Sequence, residues 1–319
     1  MRKRIVFFLI LAIAGVNLHD ATYAIGSKEK DFVIEEKIFL EELPADISEL
    51  RIWIPYPVND NWQEVEDFKI DGEFESRIVK DKRFGNNAVF LTPKKDIDLE
   101  SASKISVSFR VKRREYNGEY QSLSLKERQG FLKADRGVPV SGRIKKLAHQ
   151  ITKGKKEELE KVRAIYEYLI NELNYSKDDP NVCGIGNSLL TLKHKKGICT
   201  DYHSLFVSMA RSIGIPAKFE IGLGIPQDSQ EGHLHGYHCW AKFYIRGEGW
   251  VGVDVSEADK HPEKIEYFFG HLDENRVHLT TGRDIKLDFA MNQSPLNYFV
   301  FPYAELNGRQ FTDVNFDLT

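Results

Sequence analysis

Three residues of the chain have the types and the order that a thiol-based acyl-transfer site needs. Cys199 lies in the stretch Gly-Ile-Cys-Thr-Asp-Tyr, His238 in Tyr-His-Cys-Trp, and Asp254 at the end of Gly-Trp-Val-Gly-Val-Asp. A thiol can be a nucleophile, an imidazole its base, and a carboxylate the group that orients the base. We therefore predict a catalytic site of these three residues that passes through a thioester intermediate.

A helix is predicted to begin at Cys199 or Thr200 and to extend to Ile213, because apolar residues recur at three- and four-residue steps until Gly214 and Pro216. At the start of a helix, free backbone N–H groups and the positive end of the dipole favour a thiolate over a thiol. This effect is worth about 0.3–1 kcal/mol, which is less than one pKa unit, so the thiolate also needs an imidazolium partner. His238 is the candidate.

The turn between two predicted strands decides whether His238 and Asp254 can meet. The strands cover residues 238–245 and 250–255. A loop of three or five residues centred on Gly247 pairs Trp240 with Asp254 and brings His238, the diagonal neighbour, onto the same sheet face. A loop of two or four residues would place His238 and Asp254 on opposite faces. The sequence permits the first register without requiring it.

The oxyanion of the reaction is expected to meet the backbone N–H of Cys199. The second donor is less well defined, and Asn187 and Trp240 are the weak candidates. Trp240 could also shelter the site or contact the substrate. No cofactor is needed by this chemistry.

The chain has three cysteines, an odd number that leaves at least one thiol unpaired in an oxidising compartment unless the protein dimerises through it. Cys183 and Cys239 could pair and leave Cys199 free, or all three could be buried reduced thiols. A zinc site is a further alternative, because imidazole and thiolate suit zinc. Its ligands would be His233, His235, His238 and Cys239. That hypothesis leaves Asp254 unexplained, so we favour a site without a metal.

The amino terminus has the composition of a signal peptide. Basic residues at positions 2–4 precede an apolar run over residues 5–14 that is too short to span a bilayer comfortably. Thr22 and Ala24 supply the small residues of a cleavage site. We predict a signal peptide over residues 1–24, cleavage near Ala24, and a periplasmic or secreted chain without membrane insertion. An uncleaved anchor is the alternative.

The charge balance gives no reason to expect nucleic acid or an anionic membrane as a partner. The formal net charge is −3, and cleavage would take it to −5, because three positive charges and one negative charge are removed. The lost charges are Arg2, Lys3, Arg4 and Asp20. An apolar content of 41% with 12% aromatic residues is enough for real cores, and the length favours two domains.

Hydrophobic patterning predicts an α+β chain whose first domain is a small antiparallel β-sandwich. Period-two alternation extends to residue 113, and the helical period first appears over residues 156–173. We predict a β-sandwich domain over 25–113, a linker over 114–140, a catalytic domain over 141–290, and a carboxyl-terminal strand or extension over 291–319 that packs on the core.

The motifs around Cys199, His238 and Asp254, with the Arg-Ser-Ile-Gly-Ile-Pro-Ala turn over residues 211–217, resemble the transglutaminase-like superfamily of microbial proteins. The resemblance covers roughly residues 155–260. It implies a papain-like core in which a helix-borne cysteine packs on an antiparallel sheet that bears the histidine and the aspartate. It also maps the nucleophile, base and orienting acid onto these three residues. A small residue often follows the family histidine, whereas this chain has Cys239, which we interpret as structural because it points to the opposite strand face.

These observations lead to two hypotheses for the function, one of an enzyme and one of a binding protein. The first is a thiol enzyme that cleaves or transfers at amide bonds of a peptide, protein or cell-wall peptide, and we favour a peptidase or amidase over a protein cross-linker. The second is a non-catalytic binding module that keeps the fold and holds an extracytoplasmic peptide, glycan or protein.

Overall fold

The computed structural model describes residues 28–319 except 45–46, 96, 98–102, 228–230, 235 and 293. The predicted signal peptide over residues 1–24 lies outside the described residues and stays a prediction. Among the helices that the structure describes, none is long and apolar enough to cross a membrane.

The elements follow one another in three stretches of chain. The first is built of the strands β1 (Glu29–Leu40), β2 (Leu50–Pro55), β3 (Gln63–Asp71), β4 (Phe74–Lys80), β5 (Asn87–Pro93) and β6 (Lys104–Arg114). The second contains α1 (Leu125–Gly130), α2 (Gly142–Ile151), α3 (Glu158–Glu172), β7 (Asn174–Tyr175), α4 (Ser188–His194), β8 (Lys196–Gly197), α5 (Cys199–Ser212), β9 (Ala217–Gly224), β10 (His238–Ile245), β11 (Gly249–Val253), α6 (Val255–Lys260), β12 (Phe269–Gly270) and β13 (Arg276–Thr281). The third contains β14 (Tyr303–Leu306), β15 (Arg309–Phe311) and β16 (Val314–Leu318).

The amino-terminal strands form two antiparallel sheets, as the period-two patterning predicts. One sheet has the strand order β16-β1-β6-β3, and the other has the order β15-β14-β2-β5-β4. Ile34 and Ile38 of β1 are buried with Val107 of β6, and residues such as Ile52 of β2 join the same apolar cluster. Alternate residues therefore point from both sheets into one core, which explains the period of two.

The carboxyl-terminal extension differs from the prediction that it packs on the catalytic core. Strand β16 pairs with β1, with Glu36 opposite Leu318, and β14 pairs with β2, with Tyr303 opposite Trp53. These strands cover edges of β1 and β2 that would otherwise present unpaired backbone groups. The approach to β14 does contact the core, where Tyr298 lies against Tyr237.

Residues 114–140, the predicted linker, are packed along the hairpin of β10 and β11. Tyr116 is fully buried, and its hydroxyl donates to the carbonyl oxygen of Trp250 at 2.7 Å. The backbone of Glu119 bridges to the same tryptophan. Helix α1 follows, with a capping box between Ser124 and Glu127. The polar composition reflects one exposed side of this segment rather than a lack of structure.

The second stretch forms an α+β core in which α5 packs against a five-stranded sheet. The strand order is β12-β11-β10-β9-β13, and all neighbouring strands are antiparallel. Every residue of α5 is buried, so this helix occupies the centre of the core. It begins at Cys199, the first of the two predicted starts, and ends one residue before the predicted Ile213. Gly214, with a φ of 87°, turns the chain towards β9.

We predict that Glu36 makes the stability of the β region depend on pH. This carboxyl lies among apolar residues of β1 with 9% exposure, and burial raises its pKa to about 7. Because the folded-state pKa is above the unfolded value, the contribution of Glu36 to stability is greatest below about pH 4.5 and is lost as the pH rises through 7. Glu36→Gln removes this ionisation.

The free energy of unfolding, measured in urea at pH 5 and pH 8, tests this. The advantage of Glu36→Gln over the parent protein should grow by about 2 kcal/mol between the two pH values. Glu35→Gln, at the exposed neighbouring position, is the control and should show no such growth. An equal effect of Glu36→Gln at both pH values would contradict the prediction.

Candidate active site

Asp201 fixes the start of α5, where Cys199 lies. Its carboxylate accepts hydrogen bonds from the backbone N–H groups of Ile198 at 2.8 Å, Gly184 at 2.6 Å and Gly186 at 2.8 Å. A Cβ atom at Gly197 would lie 2.4 Å from the Cβ of Asp201, so only glycine fits there. The carboxylate thus holds the backbone that precedes α5 in place and thereby fixes the position of Cys199.

The hairpin has the register that a three-residue loop centred on Gly247 requires. Ile245 pairs with Gly249, and Ala241 pairs with Val253. The His238 ring accordingly reaches the residue that follows β11, and its Nε2 lies 2.7 Å from Oδ2 of Asp254. Of the two registers that the sequence left open, the structure has the one that joins these side chains.

Asp254 is fully buried and accepts hydrogen bonds from several directions. Besides His238, Nη1 of Arg276 donates to it at 3.0 Å, and the Ser256 hydroxyl and the Glu257 N–H donate at 3.1 Å and 3.0 Å. Burial alone would raise the pKa of this carboxyl, but the charges of His238 and Arg276 hold it well below its usual range. These shifts favour the ionised form of Asp254. Movement of this side chain would separate its buried charge from the donors that compensate it.

The charges at Cys199 and His238 favour a thiolate–imidazolium pair. Hydrogen bonds from Cys239 and His238 hold the pKa of the Cys199 thiol well below its usual range, although burial opposes them. Burial also disfavours the charged His238 ring, but Asp254 and Cys199 outweigh it and raise the pKa of His238 to about 10. Both shifts favour the thiolate–imidazolium pair over the neutral pair.

His203 is a further residue of the site that sequence reasoning did not assign. Its Nδ1 donates to the backbone oxygen of Cys199 at 2.8 Å, and its Nε2 accepts from the N–H of Val255 at 3.0 Å. Burial lowers its pKa, so the ring is neutral and has one tautomer that fits both bonds. This ring ties the first turn of α5 to the residue after Asp254. Its position four residues after Cys199 in a buried helix was the available signal.

The two weak candidates for the second oxyanion donor have structural contacts. Trp240 is fully buried, and its Nε1 donates to Oε2 of Glu220 at 2.7 Å, so this N–H is already used. Its ring centroid lies 6.0 Å from that of His238. Asn187 caps α4, where its side-chain oxygen accepts from two backbone N–H groups of the first turn.

All three cysteines are free, so Cys183 and Cys239 are not paired. Cys239 does point away from the His238 face of β10, as predicted, but α5 packs on that other face. Its sulfur lies 3.7 Å from Nδ1 of His203. In the described ranges no group of three or more His, Cys, Asp or Glu residues could hold a metal ion, and His235 of the zinc alternative lies outside those ranges.

A cleft of about 370 Å³ opens beside His238. Its walls come from the end of β9, from α6 and the turn that follows it, and from the start of β13. The lining residues include Gln227, Glu257, His261, Lys264, Asn275 and Arg276. The His238 side chain is 14% exposed towards solvent, whereas Cys199 is only 3% exposed. A larger cavity of about 800 Å³, between α3 and the hairpin turn, contains none of the three predicted catalytic residues.

Comparison with known proteins identifies the core. Residues 145–255 match the transglutaminase-like superfamily model, a range that includes Cys199, His238 and Asp254, so the predicted resemblance is confirmed. An uncharacterised protein of Haemophilus influenzae is 27% identical over 302 residues, which is 81% of each chain. YebA of Bacillus subtilis is 24% identical over 136 residues, which is 39% of this chain and 18% of that protein.

A solved structure also matches over most of the chain. It is the crystal structure of a candidate cysteine protease from Cytophaga hutchinsonii, with a TM-score of 0.58, 16% identity and coverage of 92% of both chains. At this identity the match establishes a shared fold. The shared fold therefore includes the strands that precede and follow the core in the chain, as well as the core itself.

We predict that Arg276→Gln strongly destabilises the protein. The guanidinium is 1% exposed and bonds both Asp254 and Asp273, so its loss leaves buried charge uncompensated. Breaking such a pair costs about 3–5 kcal/mol in the free energy of unfolding. Arg114→Gln, which breaks an exposed pair with Glu29, is the control and should cost less than about 1 kcal/mol. Urea unfolding of the two variants measures both; similar losses would contradict the prediction.

We predict that alkylation of Cys199 by iodoacetamide depends little on pH between 6 and 8. The thiolate fraction of an ordinary thiol, whose pKa is about 8.5, falls about 100-fold when the pH is lowered from 8 to 6. Cys183 is the internal control, since burial raises its pKa, and peptide mapping of the alkylated protein separates the two sites. The alkylation rate of each cysteine is compared with its own rate at other pH values. A difference in solvent exposure between the two cysteines therefore does not affect the comparison. Parallel profiles for the two cysteines would refute the prediction.

Proposed function

We propose that this chain, whose residues 145–255 carry a transglutaminase-like superfamily core, is a thiol acyl-transfer enzyme that acts on amide bonds. The observation that carries the proposal is the buried Asp254 carboxylate 2.7 Å from the His238 ring. The neighbouring Cys199, at the start of α5, is with Asp254 among the causes that raise the pKa of this ring. Thiol, imidazole and carboxylate in this relation are the parts that nucleophilic catalysis requires.

In the proposed reaction the Cys199 thiolate attacks the carbonyl carbon of the substrate amide. The negative oxygen that forms is met by the backbone N–H of Cys199, which has no other hydrogen-bond partner in the part of the chain that the structure describes. The His238 imidazolium gives its proton to the leaving amine, the C–N bond breaks, and a thioester remains. Water then attacks the thioester while His238 takes a proton, and the acid and the thiolate are released.

We favour hydrolysis over transfer to a second amine. The cleft beside His238 has polar and charged walls, which admit water to the ring that must activate it. The similar Cytophaga hutchinsonii structure is described as a candidate cysteine protease, which is consistent with a peptidase or amidase. We further propose a peptide, protein or cell-wall peptide substrate outside the cytoplasm, because residues 1–24 have the composition of a signal peptide.

The proposal predicts that turnover of a broad amide library depends on all three residues. We expect Cys199→Ala and His238→Ala to lower kcat/KM by about 10⁴-fold or more, and Asp254→Asn to lower it by a comparable factor because the ring loses its orienting charge. Cys183→Ala is the matched control and should keep the parent rate. Mass spectrometry of the quenched reaction should detect an acyl adduct on Cys199.

Turnover that persists in Cys199→Ala would refute the enzyme proposal. The alternative function, a non-catalytic binding module, is favoured by one observation, the 3% exposure of Cys199. It predicts partner binding that is unchanged by Cys199→Ala and His238→Ala. A library with no turned-over amide, together with such unchanged binding, would replace the first proposal by the second.

A further inference from the structure

We propose that Gln63 and Asn86, two residues of the first stretch of the chain, are positioning residues for the candidate active site, because their side-chain amides hold β13 in place. β13 and the turn that follows it bring Arg276 and Arg283 to two different parts of that site. The inference rests on the proposed function, since it assigns residues that act through those of the reaction. It gives the amino-terminal sheets a part in the reaction.

The strand that begins with Arg276 needs partners on its outer edge. β13 lies at the end of the core sheet, next to β9, and five of its six residues are buried. Backbone groups on the outer edge of such a strand are costly if they stay unpaired. The first stretch of the chain supplies partners: two side-chain amides, and the backbone N–H of Val58, which donates to the carbonyl oxygen of His278 at 3.0 Å.

Gln63, the first residue of β3, bonds β13 as a paired strand residue would. Its Oε1 accepts from the backbone N–H of His278 at 2.7 Å, and its Nε2 donates to the carbonyl oxygen of the same residue at 2.8 Å. Nε2 also donates to the carbonyl oxygen of Val58 at 2.6 Å. An ionised carboxylate of the same size could accept the first bond but could donate neither of the others. Gln63 is 1% exposed, so its loss would leave buried backbone groups without partners.

Asn86 makes the same pair of bonds at the other end of the strand. Its Nδ2 donates to the carbonyl oxygen of Thr281 at 2.8 Å, and its Oδ1 accepts from the N–H of Thr281 at 2.7 Å. The backbone N–H of Asn86 donates to Oδ2 of Asp81 at 2.6 Å, which fixes the turn between β4 and β5. The Phe84 ring of this turn packs so closely on Gly282 that a Cβ atom there would lie 2.2 Å from Cε2 of the ring. The turn is therefore docked on the end of β13.

Two buried arginines flank the positions that the amides hold. Arg276, the first residue of β13, donates at 3.0 Å to Asp254, the predicted orienting acid. Arg283, just after the end of β13, is 2% exposed. It donates to the carbonyl oxygen of Gly186 at 2.7 Å and to the Ser204 hydroxyl. One short segment of chain thus contacts both the acid and the surroundings of α5.

Gly186 connects Arg283 with the nucleophile. The backbone N–H of Gly186 donates to Asp201 at 2.8 Å, and Asp201 holds the backbone that precedes Cys199. Ser204 is a residue of α5 itself. A shift of β13 would therefore disturb the orienting acid through one arginine and the start of α5 through the other.

A role in stability alone is the alternative, so the test uses a readout that a loss of stability does not move. It is the pH midpoint of Cys199 alkylation by iodoacetamide in folded, full-length protein that carries Cys183→Ala, with the modified residue assigned by peptide mapping. Gln63→Met keeps the length of the side chain without its amide, and Asn86→Ala removes the second amide. We expect either change to raise the midpoint by about one pH unit, a tenfold loss of thiolate below the midpoint, because the orienting acid and the start of α5 are less firmly held.

Trp53→Phe in β2 is the control. It removes the hydrogen bond from Nε1 of Trp53 to the carbonyl oxygen of Asp288 and leaves both amides in place, so it should destabilise the sheets without moving the midpoint. A second readout, which follows the arginines directly, is the exchange of the Arg276 and Arg283 side-chain N–H groups with solvent, measured by NMR. These buried groups should exchange about tenfold faster in Gln63→Met than in the parent, and at the parent rate in Trp53→Phe.

With a low midpoint in the parent, an unchanged midpoint or an unchanged exchange rate in the amide variants would overturn the role of Gln63 and Asn86 and leave the proposed function intact. An equal rise of the midpoint in the control would overturn it too, because a general loss of stability would then explain the change. A parent midpoint near the ordinary value of about 8.5 would count against the proposed function itself, and the inference would fall with it. Asn86→Ala carries the same test where Gln63→Met does not fold.

Discussion

The buried negative charge of Asp254 is the constraint on which the site depends. An ionised carboxylate removed from water costs several kcal/mol unless donors surround it. Here they come from separate elements: His238 from β10, Arg276 from β13, and Ser256 and the backbone of Glu257 from α6. His238 and Arg276 lie 16 and 22 residues from Asp254 in the chain. The charge is therefore fully compensated only when the hairpin and the last core strand have come together, so the site requires the folded core.

The end of β10 connects Asp254 with the start of α5, where Cys199 lies. Consecutive strand residues point to opposite faces, so His238 faces Asp254 while Cys239 faces the turn of α5 that begins with Cys199. Two successive residues of one strand therefore contact two different parts of the site. His203 completes the connection, because its two ring nitrogens bond the backbone of Cys199 and of Val255. The start of α5 is thus tied to the residue that follows Asp254.

Local sequence signals predict the parts of the site, and long-range packing decides their partners. The start of α5 at Cys199, the bounds of β10 and the α+β class follow from apolar periods and from Gly and Pro positions. Strand β3 lacks such a signal because its ladder is interrupted by a bulge near Asp67, which has a φ of 53°. The role of Arg276 and the pairing of β16 with β1 have no local signal either, since nothing nearby in the chain marks which distant carboxylate or strand edge an element will meet. Cys239 shows the same limit: alternation gives its face correctly, but only the packing of α5 reveals what lies there.

The central claim is that Asp254 keeps the His238 ring charged beside an anionic sulfur. The nitrogen chemical shifts of the His238 ring, measured by NMR as the pH is raised, test it most directly, since they distinguish imidazolium from each neutral tautomer. The raised pKa of this ring, about 10, predicts an imidazolium at pH 8. A ring that is neutral at pH 7 would contradict the account, because the sulfur would then have no cation to hold it as a thiolate.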